Sequence, residues 1–144
     1  MKEPSHKADE IANAVIGASI EVHRILGPGY LEAVYEEALA LELAARGLSF
    51  KRQSAVTISY KGKEIGKARL DLIVGEQVIV EIKAVDTLAQ VHRAQLLSYL
   101  RATGMELGLL INFNQAALRD GVRRVEKRQN SLSWRPWRSW RLGG

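Results

Sequence analysis

Three ionisable residues sit where the surrounding sequence is otherwise apolar. Glu81 and Lys83 are two apart in Val78-Ile79-Val80-Glu81-Ile82-Lys83, and Asp71 lies in the preceding run Leu70-Asp71-Leu72-Ile73-Val74. Residues two apart on an extended strand share a face, so Glu81 and Lys83 project together. Charges in an apolar strand are costly unless paired or liganded to a metal. Carboxylates on neighbouring strands, about 5 Å apart, supply hard oxygen donors for one divalent cation such as Mg²⁺. Such a cation neutralises charge on a phosphate and lowers the pKa of a bound water. A lysine held against the carboxylates orients that water and stabilises developing charge. The plainer alternative is a salt-bridge network closing a sheet, since an E-x-K triplet is common.

Register decides between these readings. A two-residue turn at Gly75-Glu76 pairs Asp71 with Val80 and puts Asp71 and Glu81 on opposite faces. A three-residue turn, Gly75-Glu76-Gln77, pairs Asp71 with Glu81 and puts both on one face; a glycine there suits a left-handed position. A shared site therefore requires an odd-numbered or bulged loop.

Other residues gather at helical spacing. Gln95 and Tyr99 are four apart, with His92 three before Gln95, so the three form one stripe. A glutamine and a tyrosine facing a carboxylate site suit holding a water or a phosphate; otherwise Tyr99 is half-buried core. Glu32 and Glu36 are also four apart, a mildly unfavourable like-charge pair that a cation relieves and that a solvated helix face also explains. His23 is a lone histidine, a type more often structural than catalytic.

The elements that must position these residues follow from periodicity. Ile11, Val15, Ile16, Ile20 and Val22 predict a helix over 9–26, broken by Gly27-Pro28-Gly29. A second helix is predicted over 30–46, with Leu31, Val34, Tyr35, Ala38, Leu41 and Ala45 as its apolar stripe and Gly47 as its stop. Alternating Val56, Ile58 and Tyr60 make a strand, Lys61-Gly62-Lys63 a turn, and 64–74 a second strand. The unbroken Val/Ile content of 78–83 predicts a central strand buried on both faces. A helix over 88–103 and a buried strand over 107–111 follow, which implies a parallel pair joined by a crossover. A short strand near 122–125 is the weakest element. The expectation is a mixed central sheet flanked by helices, order α-α-β-β-β-α-β, in one domain over 9–128, with terminal tails at 1–8 and 129–144.

The chain has 144 residues, 47% hydrophobic and 26% charged, ordinary values for one globular domain. It has no cysteine, which excludes disulfides and thiolate metal sites. The first residues lack an apolar h-region, and no apolar run approaches the roughly 20 residues needed to span a bilayer, so a cytoplasmic protein with no membrane partner is expected. The net charge is +5 and the pI about 9.7. Eight Lys/Arg fall between Arg119 and Gly144, against only Asp120 and Glu126. Arg123, Arg124, Lys127 and Arg128, followed by Trp134, Arg135, Trp137 and Arg138, form a candidate nucleic-acid-binding set through phosphate contacts and base stacking. The alternative is tryptophans packed back onto the domain or a second copy. No glycine-rich phosphate loop, H-E-x-x-H helix or G-x-S-x-G elbow is present.

The string Gly29-Tyr-Leu-Glu32-Ala-Val-Tyr35 resembles the signature of the prokaryotic GxxExxY proteins. The likeness continues through Gln53, Arg69-Leu-Asp71-Leu-Ile-Val, Val80-Glu-Ile-Lys83-Ala-Val, Ala94-Gln-Leu-Leu-Ser-Tyr99-Leu and Leu107-Gly-Leu-Leu-Ile-Asn-Phe113, covering about 11–125. That family resembles a branch of the PD-(D/E)XK nuclease superfamily, in the group with a Gln-x-x-x-Tyr helix motif. The resemblance implies a restriction-endonuclease-like fold and a Mg²⁺- or Mn²⁺-dependent nuclease acting on nucleic acid, DNA in the first place. Asp71, Glu81, Lys83, Gln95 and Tyr99 would be its catalytic set, with Glu32, Asp71 and Glu81 as metal ligands. Leu70 stands where the superfamily name has proline. A domain this small has little surface for wrapping DNA, which leaves room for a homodimer or a protein partner.

Overall fold

Ser5 opens the first helix. Its hydroxyl accepts from the Ala8 N–H at 3.1 Å, so α1 spans His6–Leu26 and begins earlier than the expected residue 9. The structure, a computed structural model, describes residues 5–127. Arg128, Trp134, Arg135, Trp137 and Arg138 of the basic tail lie outside them. After α1 come α2 (Glu32–Ala45), β1 (Phe50–Tyr60), β2 (Lys63–Val74), β3 (Val78–Lys83), α3 (Gln90–Thr103), β4 (Leu107–Asn112), one 3₁₀ turn (Leu118–Gly121) and β5 (Val122–Glu126).

The five strands form one mixed sheet in the order β1-β2-β3-β4-β5. Only β3 and β4 run parallel, joined by α3 as the crossover requires. The order α-α-β-β-β-α-β thus gains a fifth strand, since Val122–Glu126 pairs antiparallel with β4. β1 begins at Phe50, six residues before its alternating Val56-Ile58-Tyr60 core. β3 holds the centre, and Val78, Ile79, Val80 and Ile82 are all buried. Each such side chain contributes about 1.5–3 kcal/mol.

α1 and α2 cover one face of the sheet, packing on Leu72, Val74, Val78, Val80 and Ile82. α3 covers the other through Leu96, Leu97 and Leu100, against Ile79 and Leu110. α2 turns a different face inward than its spacing predicts: Tyr35, Leu39, Ala40 and Leu43 are buried, while Leu31, Val34 and Leu41 are exposed. Ile20 of α1 also points outward.

The β2–β3 connection is the three-residue turn. Val74 pairs with Val78, Ile73 with Ile79 and Leu72 with Val80, around Gly75-Glu76-Gln77. Gly75 (φ 59°) and Glu76 (φ 58°) are both left-handed, the pattern of a type I′ turn, closed by the Gln77 N–H on Val74 O at 3.1 Å, with Gln77 as the extra residue before β3. Asp71 and Glu81 therefore come next in register, on the same face.

The β1–β2 ribbon changes faces at that level. On β2, Leu72 packs beneath α1 and α2, but Leu70, two residues away, packs beneath α3. On β1, Phe50 packs with the first group and Val56 with the second, although an even spacing should keep them together. The reversal falls between the pairs Arg52–Leu72 and Ser54–Leu70, at Gln53 and Asp71, where Gln53 has φ 51°. A local break of this kind re-aims side chains beside a site.

Candidate active site

Main-chain pairing of β2 with β3 stops at Leu72–Val80, and carboxylates take over. The Asp71 N–H donates to Glu81 Oε2 at 2.9 Å, and the Ile82 N–H donates to Asp71 Oδ2 at 2.8 Å. Each carboxylate thus ties one oxygen to the neighbouring strand's backbone. Lys83 lies two residues beyond Glu81 on the same face. The end of β3 is fixed in turn: the Phe113 N–H donates to Lys83 O at 2.9 Å. Buried Asn112 exchanges two hydrogen bonds with Val85, at 2.8 and 3.0 Å. Asn112 went unassigned in the sequence because an asparagine at a strand end carries no spacing signal.

The electrostatics fit a cation site. Glu81 is only 5% exposed, and burial, then the Asp71 charge, push its carboxyl up to about 7. Burial also raises Asp71, opposed by the Ile82 N–H, the Lys83 charge and Gln53. Two desolvated carboxylates in contact repel unless a proton or a cation relieves them. Glu81 Oε1 accepts no hydrogen bond among the described residues, and Asp71 Oδ1 meets only Gln53 Nε2, at 3.5 Å. These are hard donors suited to Mg²⁺ or Mn²⁺.

Glu32, expected as a third ligand, does not complete such a set. Among the described residues no three His, Asp or Glu side chains converge closely enough to hold a metal. Glu32 is the first residue of α2 and exposed, and it acts on Asp71 and Glu81 through its charge, raising both. The loop before it is pinned by Tyr35, which donates to Gly27 O at 2.6 Å, accepts from the Tyr30 N–H at 3.1 Å and stacks on Phe113. Gly29, at φ 113°, takes a conformation closed to other residues. The Gly29–Tyr35 signature is thus a loop lock that sets the start of α2.

Glu36 pairs with Arg52 Nε at 3.1 Å and accepts from Gln53 Nε2 at 2.9 Å, so its like-charge neighbour Glu32 is not its main partner. Tyr99 of α3 lies within the field of Glu81 and Asp71, and burial with these charges raises its hydroxyl, keeping it a proton donor. Tyr99 and exposed Gln95 line a groove of about 670 Å³ between α3 and the β1–β2 ribbon, together with Thr57, Ser59, Ser98 and Arg101. His92 caps α3: its Nδ1 accepts from the Ala89 N–H at 2.9 Å, and burial, then Lys83, lower its pKa. His23 bonds Gln115 O through Nε2 at 2.7 Å and is structural.

A match of residues 9–125 to the family model of the PD-(D/E)XK nuclease superfamily accompanies this geometry. The chain belongs to the PD-(D/E)XK nuclease superfamily. Its mixed sheet flanked by helices agrees with that superfamily, whose members generally hydrolyse phosphodiester bonds. Neither a curated protein nor a solved structure matches the chain.

One expected member of the basic nucleic-acid set is corrected. Arg124 is 3% exposed on β5, and its guanidinium pairs with Asp9 of α1 and, at 3.5 Å, with Glu126. This interior ion pair ties α1 to the sheet and leaves no surface for a phosphate. Arg123 is half-buried and donates to Asp120 O and Val122 O, both at 3.0 Å. Lys127 is half-buried at the end of β5. No helix among the described residues is long and apolar enough to cross a membrane.

Proposed function

We propose that this superfamily member is a Mg²⁺- or Mn²⁺-dependent nuclease that hydrolyses phosphodiester bonds in nucleic acid, with DNA as its first substrate, in the GxxExxY branch. The observation that carries the reading is the reciprocal contact of Asp71 and Glu81, held by backbone N–H groups with Lys83 on the same strand face. Asp71 and Glu81 would hold a divalent cation, which would supply Lewis acidity toward the scissile phosphate. Lys83 donates to a phosphate oxygen and orients the attacking water, and its fixed positive charge stabilises negative charge developing on phosphorus. Tyr99, kept protonated, is a second donor to the phosphate. Water's oxygen bonds to phosphorus, the ester oxygen leaves, and the proton lost by water is made good on the leaving oxygen.

The groove beside α3 supports the substrate assignment. Hydroxyls of Thr57, Ser59 and Ser98 and the Arg101 guanidinium suit a phosphate backbone, and the Tyr99 ring suits stacking. The Trp/Arg-rich segment 129–144, which lies outside the described residues, has by composition alone a second set suited to phosphate contacts and base stacking.

The test is cleavage of labelled single- and double-stranded DNA and RNA with Mg²⁺, Mn²⁺ or EDTA, beside Lys83→Ala. Metal-dependent cutting lost in the variant supports the proposal. Binding of nucleic acid with no cutting by the wild type replaces it with a non-catalytic binding module.

A further inference from the structure

Gln53 stands across the β1–β2 ribbon from Asp71, between the pairs Arg52–Leu72 and Ser54–Leu70, yet the two are not paired through the backbone. Its φ of 51° is left-handed, where glycine is relaxed and asparagine tolerated but a long side chain is strained. Strain at a single residue persists where the surroundings use it. Here the side chain spends its amide nitrogen on two acids, Glu36 Oε1 at 2.9 Å and Asp71 Oδ1 at 3.5 Å. Carboxylate oxygens only accept, so the amide must turn its nitrogen toward them. Glu36 is itself anchored, because Arg52 Nε holds its other oxygen at 3.1 Å and the same guanidinium reaches Glu37 on the next position of α2. Asp71 is held from the other side by the Ile82 N–H.

We propose that Gln53 is the positioning residue of the site: its amide separates the carboxylates of Glu36 and Asp71 and fixes Asp71 in the orientation that binds the cation. The proposal rests on the metal-dependent reading above, and it assigns a task to a residue that touches neither substrate nor cation. Without the amide, two acids would face each other across the space it fills, and Asp71 would turn away from Glu81. The left-handed backbone is what aims the side chain between α2 and β2, and glutamine's length is what spans the two carboxylates. Asparagine would accept the backbone but fall short of one acid.

The test uses the full chain, with Mn²⁺ as the probe, read by electron paramagnetic resonance and by cleavage. Gln53→Gly relaxes the backbone, so the metal-free variant should melt no lower than wild type. Its Mn²⁺ affinity should fall 10- to 100-fold, the usual consequence of losing a partner that orients a ligand. Cleavage at limiting Mn²⁺ should fall in step and recover when Mn²⁺ is raised, with the KM for nucleic acid unchanged. Gln53→Asn should behave like the glycine variant. Unchanged Mn²⁺ affinity in both variants overturns the proposal. A wild type that binds no Mn²⁺ refutes the nuclease reading instead, and Gln53 is then judged on the metal-free protein. There Gln53→Gly should change Tm more favourably in an Asp71→Ala background than in wild type, because the loss of the Glu36 bond is common to both backgrounds and only wild type also loses the contact to Asp71. Equal increments overturn it.

Discussion

Replacing Glu81 by glutamine should make the metal-free protein more stable at pH 8 while removing its response to metal. The Glu81 carboxyl is raised from 4.5 to about 7, chiefly by burial and then by the Asp71 charge. Between those values the folded protein binds more protons at this group than the unfolded chain does, so stability falls as pH rises. The contribution is fully present below pH 4.5 and is lost as pH passes about 7. At about 1.4 kcal/mol for each pH unit, the cost of carrying an ionised Glu81 at pH 8 is about 3 kcal/mol. Glutamine keeps the shape, and its amide oxygen still accepts from the Asp71 N–H, but it has nothing to ionise. In urea with EDTA at pH 8, Glu81→Gln should therefore exceed wild type by about 3 kcal/mol, roughly 10 °C in Tm for a domain of this size. At pH 5 most of that difference should vanish. Adding Mn²⁺ should reverse the order, since a cation bound only by the folded wild type stabilises it by mass action. Parallel pH profiles of wild type and variant in EDTA would refute the reasoning, as would equal stabilisation of both by Mn²⁺.

Other perturbations separate chemistry from architecture. Lys83→Ala should lower cleavage by about 10²–10³ while Mn²⁺ still raises Tm, because the lysine is no ligand; loss of the metal response would place it among the ligands. Arg101→Ala should reduce the slope of log affinity against log salt by about 1, and an unchanged slope removes the groove from the binding path. Tyr35→Phe should cost about 1–3 kcal/mol by leaving the Gly27 carbonyl and the Tyr30 N–H without their partner, read by urea denaturation. Arg124→Ala should destabilise the protein in urea by removing the buried cation that half-buried Asp9 and buried Glu126 share, by up to about 3 kcal/mol, with the nucleic-acid affinity of the folded fraction unchanged.

What the sequence discloses and what it hides divide along physical lines. β3 is legible because strands buried on both faces need continuous Val and Ile. The turn is legible once Asp71 and Glu81 are required to share a face. α2 is not, since Leu39, Leu41 and Leu43 leave apolar residues nearly all round the helix, and the packing partner chooses which of them goes inside. β5 carries only Val122 and Val125 around two arginines, so its identity as a strand comes from the free edge of β4. Arg124 reads as a surface cation in a basic run, because Asp9, which neutralises it, is far away in the chain. Glu32 is a ligand only by the family resemblance, since its four-residue spacing from Glu36 equally fits a solvated helix face; the structure brings its charge to bear on Asp71 and Glu81 without a three-carboxylate cluster among the described residues.

Alternation finds Asp71, Glu81 and Lys83 on one face, but it does not disclose the face reversal of the β1–β2 ribbon at Gln53 and Asp71. A strand that keeps its pleat pairs every N–H with a carbonyl, and its amides are spent. Where β2 stops pairing with β3, the N–H groups of Asp71 and Ile82 are released at the level where Glu81 and Asp71 project. Buried donors of this kind must find acceptors, and buried carboxylates must find donors, so each need meets the other. The break in the sheet is thus compensated by the acids, and the acids are oriented by the break. It follows that a substitution restoring regular pairing, such as Asp71→Val, should stabilise the sheet and abolish the site together. Stability and function are opposed at this position because the same two N–H groups cannot serve both the ladder and the carboxylates.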